Sequence, residues 1–214
     1  MKSFCSRPLY AVFAIFLVAS AQARLIEPPG IIIVASPDGG ALLRIDPGPW
    51  MASEPARPAM ASVFRYDPQS KSYRLSTTFT LRNRVAPDVA IISNDATYIA
   101  TCDDWDQIGC TPNAVVLYRG SGECLKAWSI EDLFSPGEIR RFGPFAMNAP
   151  SRYWRGSFIQ FITDSKGPAL SIPWRMDAPW HVALRLDLNS LTFTRNGEHW
   201  IDPKTHTVIP APKE

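Results

Sequence analysis

The sequence predicts an all-β protein built from about three four-stranded antiparallel units, which would resemble blades stacked one after another. Short apolar runs alternate along the chain with turns rich in Asp, Gly, Pro and Ser, and one turn-and-strand pattern recurs. Only one short segment carries the signals of a helix start. A β-sandwich or an open β-meander is the alternative architecture, because short alternating strands suit any antiparallel arrangement.

The predicted strands follow one another across short turns. They span residues 31–35, 41–45, 62–66, 73–79, 89–92, 98–102, 114–118, 125–128, 158–163, 169–174, 182–188 and 191–195. In the fourth of them, Tyr73, Leu75 and Phe79 alternate with polar side chains. This alternation predicts that the three aromatic and aliphatic side chains share one face and that the other face is wet.

One short helical turn is expected at residues 129–134. Ser129 is a favourable N-cap residue, and Glu131 and Asp132 place negative charge in the first turn, where the helix dipole favours it. Pro136 and Gly137 follow, and we expect them to end this segment.

The recurring unit is clearest when residues 36–46 are aligned with residues 93–103. Both segments begin with Ser, carry Asp at the third position and end in Asp, with apolar residues between. The period is slightly longer than the ~40–50 residues of known blade-type repeats. A weaker third copy places the repeats near residues 31–79, 89–134 and 153–195, within a single domain at residues 24–201 and before a Pro-rich tail at residues 202–214.

Four strands in meander order with such turns resemble the blades of β-propellers of the WD40, YVTN or NHL kind, and blade-type repeats of secreted bacterial proteins of unknown role. The WD40 dipeptides are absent as a pair, since Trp105-Asp106 lies in a loop. Propellers have ~4–8 blades, and three twisted sheets do not readily close a ring. The resemblance therefore implies a hidden unit, an open stack of sheets, or a homo-oligomer in which a second chain completes the ring.

The first 23 residues are predicted to be a secretory signal peptide. Lys2 and Arg7 form a basic start, residues 9–19 are apolar, and Ala21-Gln22-Ala23 fits the cleavage pattern. The apolar run is shorter than the roughly 20 residues of a membrane-spanning helix. We therefore expect a secreted or periplasmic protein with no membrane span after cleavage.

Charge and cysteine content narrow the partners and the covalent structure. The chain has 22 Lys and Arg against 20 Asp and Glu, with no basic run, which argues against nucleic acid binding. Three of its four cysteines follow the signal segment, and exported proteins retain disulfides. We predict a Cys102–Cys110 disulfide, with Cys124 as the competing partner for either.

The acidic loop Asp103-Asp104-Trp105-Asp106 is the first candidate site. Calcium prefers several oxygen ligands from one compact loop, but read as an EF-hand the segment has Ile108 and Val115 at ligand positions. We therefore expect no metal or cofactor. The competing interpretation is that these acids only cap turns and face solvent.

No catalytic motif is recognisable. Gly120-Ser121-Gly122 is too short for a nucleophile elbow and lies in a hairpin, and no phosphate loop, zinc-protease or dinucleotide motif is present. The alternative to binding, an envelope hydrolase acting on a glycan or peptide, would need carboxylates from separate repeats. Convergence of Asp46, Asp103 and Asp164 with His181 would favour that alternative.

Loop aromatics favour a binding function. Trp105, Trp154 and Trp180 lie in or beside loops, where aromatic side chains can bind a glycan or a protein, although filling of the core is the competing interpretation. The favoured hypothesis is therefore a non-enzymatic binding or structural module. Its predicted binding residues are Asp103, Asp104, Trp105, Asp106, Trp154 and Trp180.

Overall fold

The computed structural model describes residues 29–49, 57–140, 142, 154–156, 158–174, 182–196, 199–201 and 208–210. It contains three four-stranded antiparallel sheets, each a meander in chain order. The predicted all-β class with three propeller-like blades is therefore confirmed. The predicted signal peptide and most of the Pro-rich tail lie outside the described residues.

The three sheets are named blade 1, blade 2 and blade 3. Blade 1 comprises β1 (Ile32–Ala35), β2 (Ala41–Asp46), β3 (Met60–Asp67) and β4 (Ser72–Thr80). Blade 2 comprises β5 (Pro87–Ile92), β6 (Tyr98–Asp104), β7 (Val115–Arg119) and β8 (Cys124–Trp128). Blade 3 comprises β9 (Gln160–Asp164), β10 (Gly167–Trp174), β11 (Val182–Asp187) and β12 (Thr192–Asn196). All twelve predicted strands are present, with ends shifted by a few residues.

Two helices follow blade 2. The predicted turn is present as α1 (Ile130–Leu133), and Ser129 and Asp132 form a capping box at its start. This helix ends before Pro136, as expected, but Pro136 then begins a second helix that was not predicted, α2 (Pro136–Ile139). Proline is tolerated at the first helical position, where its missing N–H would have no partner in any case.

A two-stranded sheet ends the described part of the chain. It pairs β13 (His199–Ile201) with β14 (Val208–Pro210). β14 lies within the predicted Pro-rich tail at residues 202–214, so this hairpin was not predicted.

The repeat recurs in atomic detail at the first turn of blades 1 and 2. Ser36 Oγ donates to Asp38 at 2.6 Å and accepts from the N–H of Ala41 at 2.9 Å. In blade 2, Ser93 Oγ donates to Asp95 at 2.7 Å and accepts from the N–H of Tyr98 at 3.0 Å. The Ser-x-Asp pattern therefore specifies one turn, in which each side chain satisfies backbone groups of the reversal.

A β-bulge in blade 1 overturns the expectation for β4. The register shifts between Val63 and Phe64, so Leu75 pairs with Phe64 and the strand changes phase. Phe79 packs against the blade 1–blade 2 core, whereas Leu75 is 59% exposed on the opposite face. A bulge inserts one residue into a strand and moves all following side chains to the other face.

Consecutive blades pack face to face through two apolar cores. The core between blades 1 and 2 includes Leu43, Ile45 and Ile99, all fully buried. The core between blades 2 and 3 also takes in the two short helices and the buried Trp154. No helix in the described ranges is long and apolar enough to cross a membrane.

Gly120 and Gly122 have a packing role. A Cβ atom on Gly120 would lie 1.8 Å from the carbonyl oxygen of Ala96, and one on Gly122 would lie 2.5 Å from Phe79. Gly122 also has a φ of 94°, which favours glycine. The Gly-Ser-Gly hairpin is therefore explained by the close approach of two neighbouring turns and of blade 1.

Candidate functional site

The candidate site is formed by the last two residues of β6, Asp103 and Asp104, and by the connection to β7 in blade 2, which are together called the β6–β7 loop. Its backbone enters the left-handed region three times, at Asp103 (φ 58°), Asp106 (φ 59°) and Gly109 (φ 66°). Aspartate tolerates this region better than most residues because its short side chain can bond locally. The acidic residues therefore let the loop reverse tightly, and they present their carboxylates in different directions.

The carboxylate of Asp103 is fully buried and turns towards blade 3. It accepts hydrogen bonds from the backbone N–H of Gly109 at 2.8 Å, from Trp154 Nε1 at 2.9 Å and from Arg155 Nε at 2.6 Å. Arg155 also binds Asp88 on β5, and its side chain is only 7% exposed. These contacts attach the segment that leads into blade 3 to the loop of blade 2.

Burial dominates the electrostatics of this ion pair. Loss of hydration raises the pKa of Asp103 above its ordinary value, while the Arg155 guanidinium and the Trp154 indole N–H act in the opposite direction. A buried ion pair seldom recovers the full cost of desolvating two charges. The pair therefore fixes the position of the loop more than it adds net stability.

Asp104 points the other way and is held by two side-chain amides. It accepts from Asn83 Nδ2 at 2.8 Å and from Asn113 Nδ2 at 3.1 and 3.3 Å. Asn83 is itself fixed, since its amide oxygen accepts from Thr101 at 2.9 Å and its Nδ2 also reaches the carbonyl of Asp103 at 3.1 Å. The carboxylate of Asp104 is thus set in one orientation by a buried polar network.

Asn113 contributes an unsatisfied acceptor to this network. The residue is 7% exposed, and its Oδ1 is buried without a hydrogen-bond partner among the described residues. The amide orientation is dictated by Asp104, because a reversed amide would set two acceptors against each other. An unmatched buried acceptor costs roughly 1–3 kcal/mol, and such groups concentrate where function requires them.

A cavity of about 580 Å³ opens beside this network. Its wall comes from the β6–β7 loop, from the segment that joins blade 1 to blade 2 and from the chain after β2. The lining residues are Pro49, Arg84, Val85, Asp104, Trp105, Asp106, Gln107, Thr111, Pro112 and Asn113. The cavity therefore combines two carboxylates, two amides, one guanidinium and one indole.

The structure divides the predicted binding residues into two groups. Asp104, Trp105 and Asp106 line the cavity together. Asp103 and Trp154 are fully buried and bind each other, so they support the loop from behind. The remaining predicted residue, Trp180, lies outside the described residues. No group of three His, Cys, Asp or Glu in the described ranges is arranged to hold a metal ion.

Sequence reasoning missed the amides that complete the site. Asn113 lies in the same loop, directly after Thr111 and Pro112, and its local sequence indicates a turn but no binding role. Asn83 is 21 residues away from the carboxylate it binds, and nothing in its local sequence points to that contact. Two amides on one carboxylate become apparent only when blade 1 is packed on blade 2.

The predicted Cys102–Cys110 disulfide is not formed. Cys102 is 1% exposed and lies in the core between blades 2 and 3, whereas Cys110 is exposed, with its thiol 3.5 Å from the carbonyl of Ile108. Burial raises the pKa of the Cys102 thiol to about 12. The prediction failed because the side chain of Cys102 faces the core and not the loop that follows it.

The three repeat-equivalent acids bind different arginines. Asp46 binds Arg44 at 2.6 Å, Asp164 binds Arg185 at 2.8 Å, and Asp103 binds Arg155. Each pair belongs to its own blade or blade junction, so these carboxylates serve local ion pairs. His181, which was expected to join them in an enzyme, lies outside the described residues.

Comparison with known proteins gives similarity at the level of structure. No protein-family profile and no curated protein sequence matches the chain. A periplasmic gluconolactonase of Pseudomonas aeruginosa is similar with a TM-score of 0.43 and 14% identity, over 86% of this chain and 45% of that one. A candidate 6-phosphogluconolactonase of Bacteroides fragilis is similar with a TM-score of 0.41 and 16% identity, over 89% of this chain and 55% of that one. The chain spans about half the length of either structure.

Proposed function

We propose that the protein is an exported, secreted or periplasmic binding module that holds a small polyhydroxylated molecule, such as a sugar, in the loop cavity. The observation that supports this proposal is the fixed carboxylate of Asp104 at the wall of a cavity of about 580 Å³. Pockets of roughly 300–1,000 Å³ with a few placed polar groups are typical of small-molecule sites.

The chemistry of the wall fits a ligand rich in hydroxyl groups. The carboxylates of Asp104 and Asp106 line the cavity and can accept hydrogen bonds from ligand hydroxyls. The Trp105 indole offers an apolar surface to the C–H face of a sugar ring. Two acidic residues against the single guanidinium of Arg84 disfavour an anionic ligand.

The site is also preorganised. Asp104 is held by Asn83 and Asn113, and its loop is attached to blade 3 through Asp103. Groups that are already fixed lose little conformational entropy when a ligand binds. We therefore expect binding without a large rearrangement of the blades.

Titration calorimetry with glucose, galactose and N-acetylglucosamine tests the proposal. We expect saturable binding of at least one sugar, weakened about tenfold or more by Asp104→Asn or Asp106→Asn, since a hydrogen bond to a charged group is worth about 1.5–3 kcal/mol. Glu123→Gln, an exposed acid in the β7–β8 hairpin, is the matched control and should leave the affinity unchanged. Absence of binding by all sugars in the panel contradicts the proposal.

Hydrolysis of a bound sugar derivative is the second candidate function. It is favoured by one observation, that Asp104 and Asp106 line the same cavity, and a pair of carboxylates across a sugar is the equipment of glycoside hydrolysis. Both acids come from one loop, not from separate repeats. Turnover of p-nitrophenyl glycosides or glucono-δ-lactone that is lost in both Asp→Asn variants would establish the enzyme, whereas sugar binding without turnover would establish the binding module.

A further inference from the structure

The outward face of blade 1, opposite blade 2, is apolar at its centre. Across the four strands, Ala35 pairs with Leu42, Leu42 with Phe64, and Phe64 with Leu75. In this row Leu75 on β4 is 59% exposed, and Ile33 on β1, in the neighbouring row, is 68% exposed. Tyr66 and Tyr73 extend the row towards the β3–β4 turn, with ring centroids 5.4 Å apart.

An antiparallel sheet with one wet face normally presents polar side chains there. Blade 1 instead carries apolar side chains on both faces, because the bulge at Val63 and Phe64 moves Leu75 and Tyr73 outwards. Inward-facing residues such as Leu43 and Ile45 already form the core with blade 2. The outward face therefore has the composition of a second packing surface.

We propose that blade 1 binds blade 1 of a second copy of this chain, outward face against outward face, about a two-fold axis. The two apolar rows would interdigitate as the sheets within one chain do, and the three-blade stack would become a continuous stack of six.

Charge complementarity supports a second copy as the occupant. Arg44 and Asp46 lie on β2 beside the apolar row. A guanidinium nitrogen of Arg44 lies 2.6 Å from a carboxylate oxygen of Asp46, and the two side chains are 45% and 34% exposed. The two charges neutralise each other within one chain, so the same face of a second copy can pack against this one without leaving an unpaired charge.

Head-to-tail stacking on blade 3 fits less well. Blade 3 has one face in the core, and Arg185 lies at the centre of its other face, where it binds Asp164 and Asp187. The Arg185 side chain is only 3% exposed, so among the described residues this face has a covered polar centre and not an exposed apolar row. A blade 1–blade 1 contact instead brings two exposed apolar rows together.

The size of the patch is adequate for a stable contact. The seven apolar and aromatic side chains named above expose on the order of 500 Å² of surface, within the roughly 300–600 Å² of the largest patch of a monomer. A standard interface covers about 800 Å² on each partner and is a little over half apolar. The patch and its polar neighbours therefore match one side of a standard dimer.

Sedimentation equilibrium of the full-length protein tests the proposal. We expect a dimer at about 100 µM, a concentration that populates complexes of micromolar affinity. Leu75→Lys on β4 and Ile33→Lys on β1 each place a charge within the contact, one on either edge strand of the sheet, and should raise the dissociation constant at least about 100-fold. Both side chains are exposed in the monomer, so the circular dichroism spectrum of the folded protein should not change.

Ser121→Lys is the matched control, because it adds the same charge to an exposed turn of blade 2. It should remain dimeric. A monomeric wild-type protein at this concentration overturns the proposal, as does a dimer that persists in both lysine variants or dissociates equally in the control. The two outward-face variants should leave sugar affinity unchanged, which separates this test from that of the loop cavity.

Discussion

Replacement of Arg155 by Met tests how much the buried ion pair between Asp103 and Arg155 affects the free energy of unfolding. In Arg155→Met the carboxylate of Asp103 keeps two donors, the N–H of Gly109 and the indole of Trp154, but loses its only cationic partner in the described structure. Breaking one side of a buried pair costs roughly 3–5 kcal/mol. A domain has a free energy of unfolding of about 5–15 kcal/mol, so urea unfolding at pH 8 should show that the variant has lost a large part of it.

The stability that Arg155→Met loses relative to the wild type should return as the pH falls. Burial raises the pKa of Asp103, and Arg155 opposes that effect, so its removal raises the pKa further. The folded state then takes up a proton at a higher pH than the unfolded state does. The destabilisation should therefore be complete above the folded pKa and should shrink as the pH falls below it.

Two further variants separate charge from packing. Adding Asp103→Asn to Arg155→Met removes the unpaired charge, and Asn accepts the left-handed backbone at this position, so most of the stability should return. Arg119→Met breaks an ion pair that is 51% exposed and should cost less than about 1 kcal/mol. A loss of unfolding free energy for Arg155→Met below about 1 kcal/mol, or one that does not vary with pH, would show that Asp103 does not depend on Arg155 as a buried, desolvated partner.

Three other predictions concern the scaffold. Gly120→Ala should lose about 1–3 kcal/mol in urea unfolding, because its Cβ would collide with a backbone carbonyl of the neighbouring turn, and an unchanged midpoint would contradict that packing. Asp164→Asn should be less stable than the wild type at neutral pH. Hydrogen bonds from Arg185 lower the pKa of Asp164 to about 2, so the difference should disappear as the pH falls from about 4 to about 2. Under native conditions iodoacetamide should modify the two exposed cysteines and spare Cys102, whose burial raises its pKa to about 12, and native labelling of Cys102 would contradict its placement in the core.

The strands were predictable because their signals are local. Apolar runs between Asp, Gly and Pro turns gave all twelve blade strands, and the Ser-x-Asp turn was identified from the recurrence of Ser36 and Ser93. Each of these turns is satisfied by side chains within five residues in the sequence. Local hydrogen bonding of this kind leaves a readable pattern.

The bulge in blade 1 left no such pattern. Tyr73, Leu75 and Phe79 alternate perfectly in the sequence, yet one extra residue in the ladder places Phe79 on one face and Leu75 on the other. Register depends on the partner strand, which a single segment does not reveal. The apolar outward face of blade 1 could therefore not be predicted from the sequence.

The loop itself was identified, but the direction of its side chains was not. Alternating acids in one turn indicated a site, and Asp104 and Asp106 do line the cavity. Asp103 points backwards to Trp154, a contact across 51 residues, and Cys102 faces the core. These directions are set by the packing of blade 2 on blade 3, so only the fold could show them.

Side-chain amide and indole spectra during a sugar titration test whether the loop cavity is the binding site. In ¹H–¹⁵N correlation spectra, titration with the tightest-binding sugar of the panel should shift the Trp105 indole N–H and the Asn113 side-chain amide. The Trp128 indole, buried between blades 2 and 3, should not move. Shifts confined to other parts of the protein, or an unperturbed Asn113 amide at saturation, would contradict the assignment of the loop cavity as the binding site.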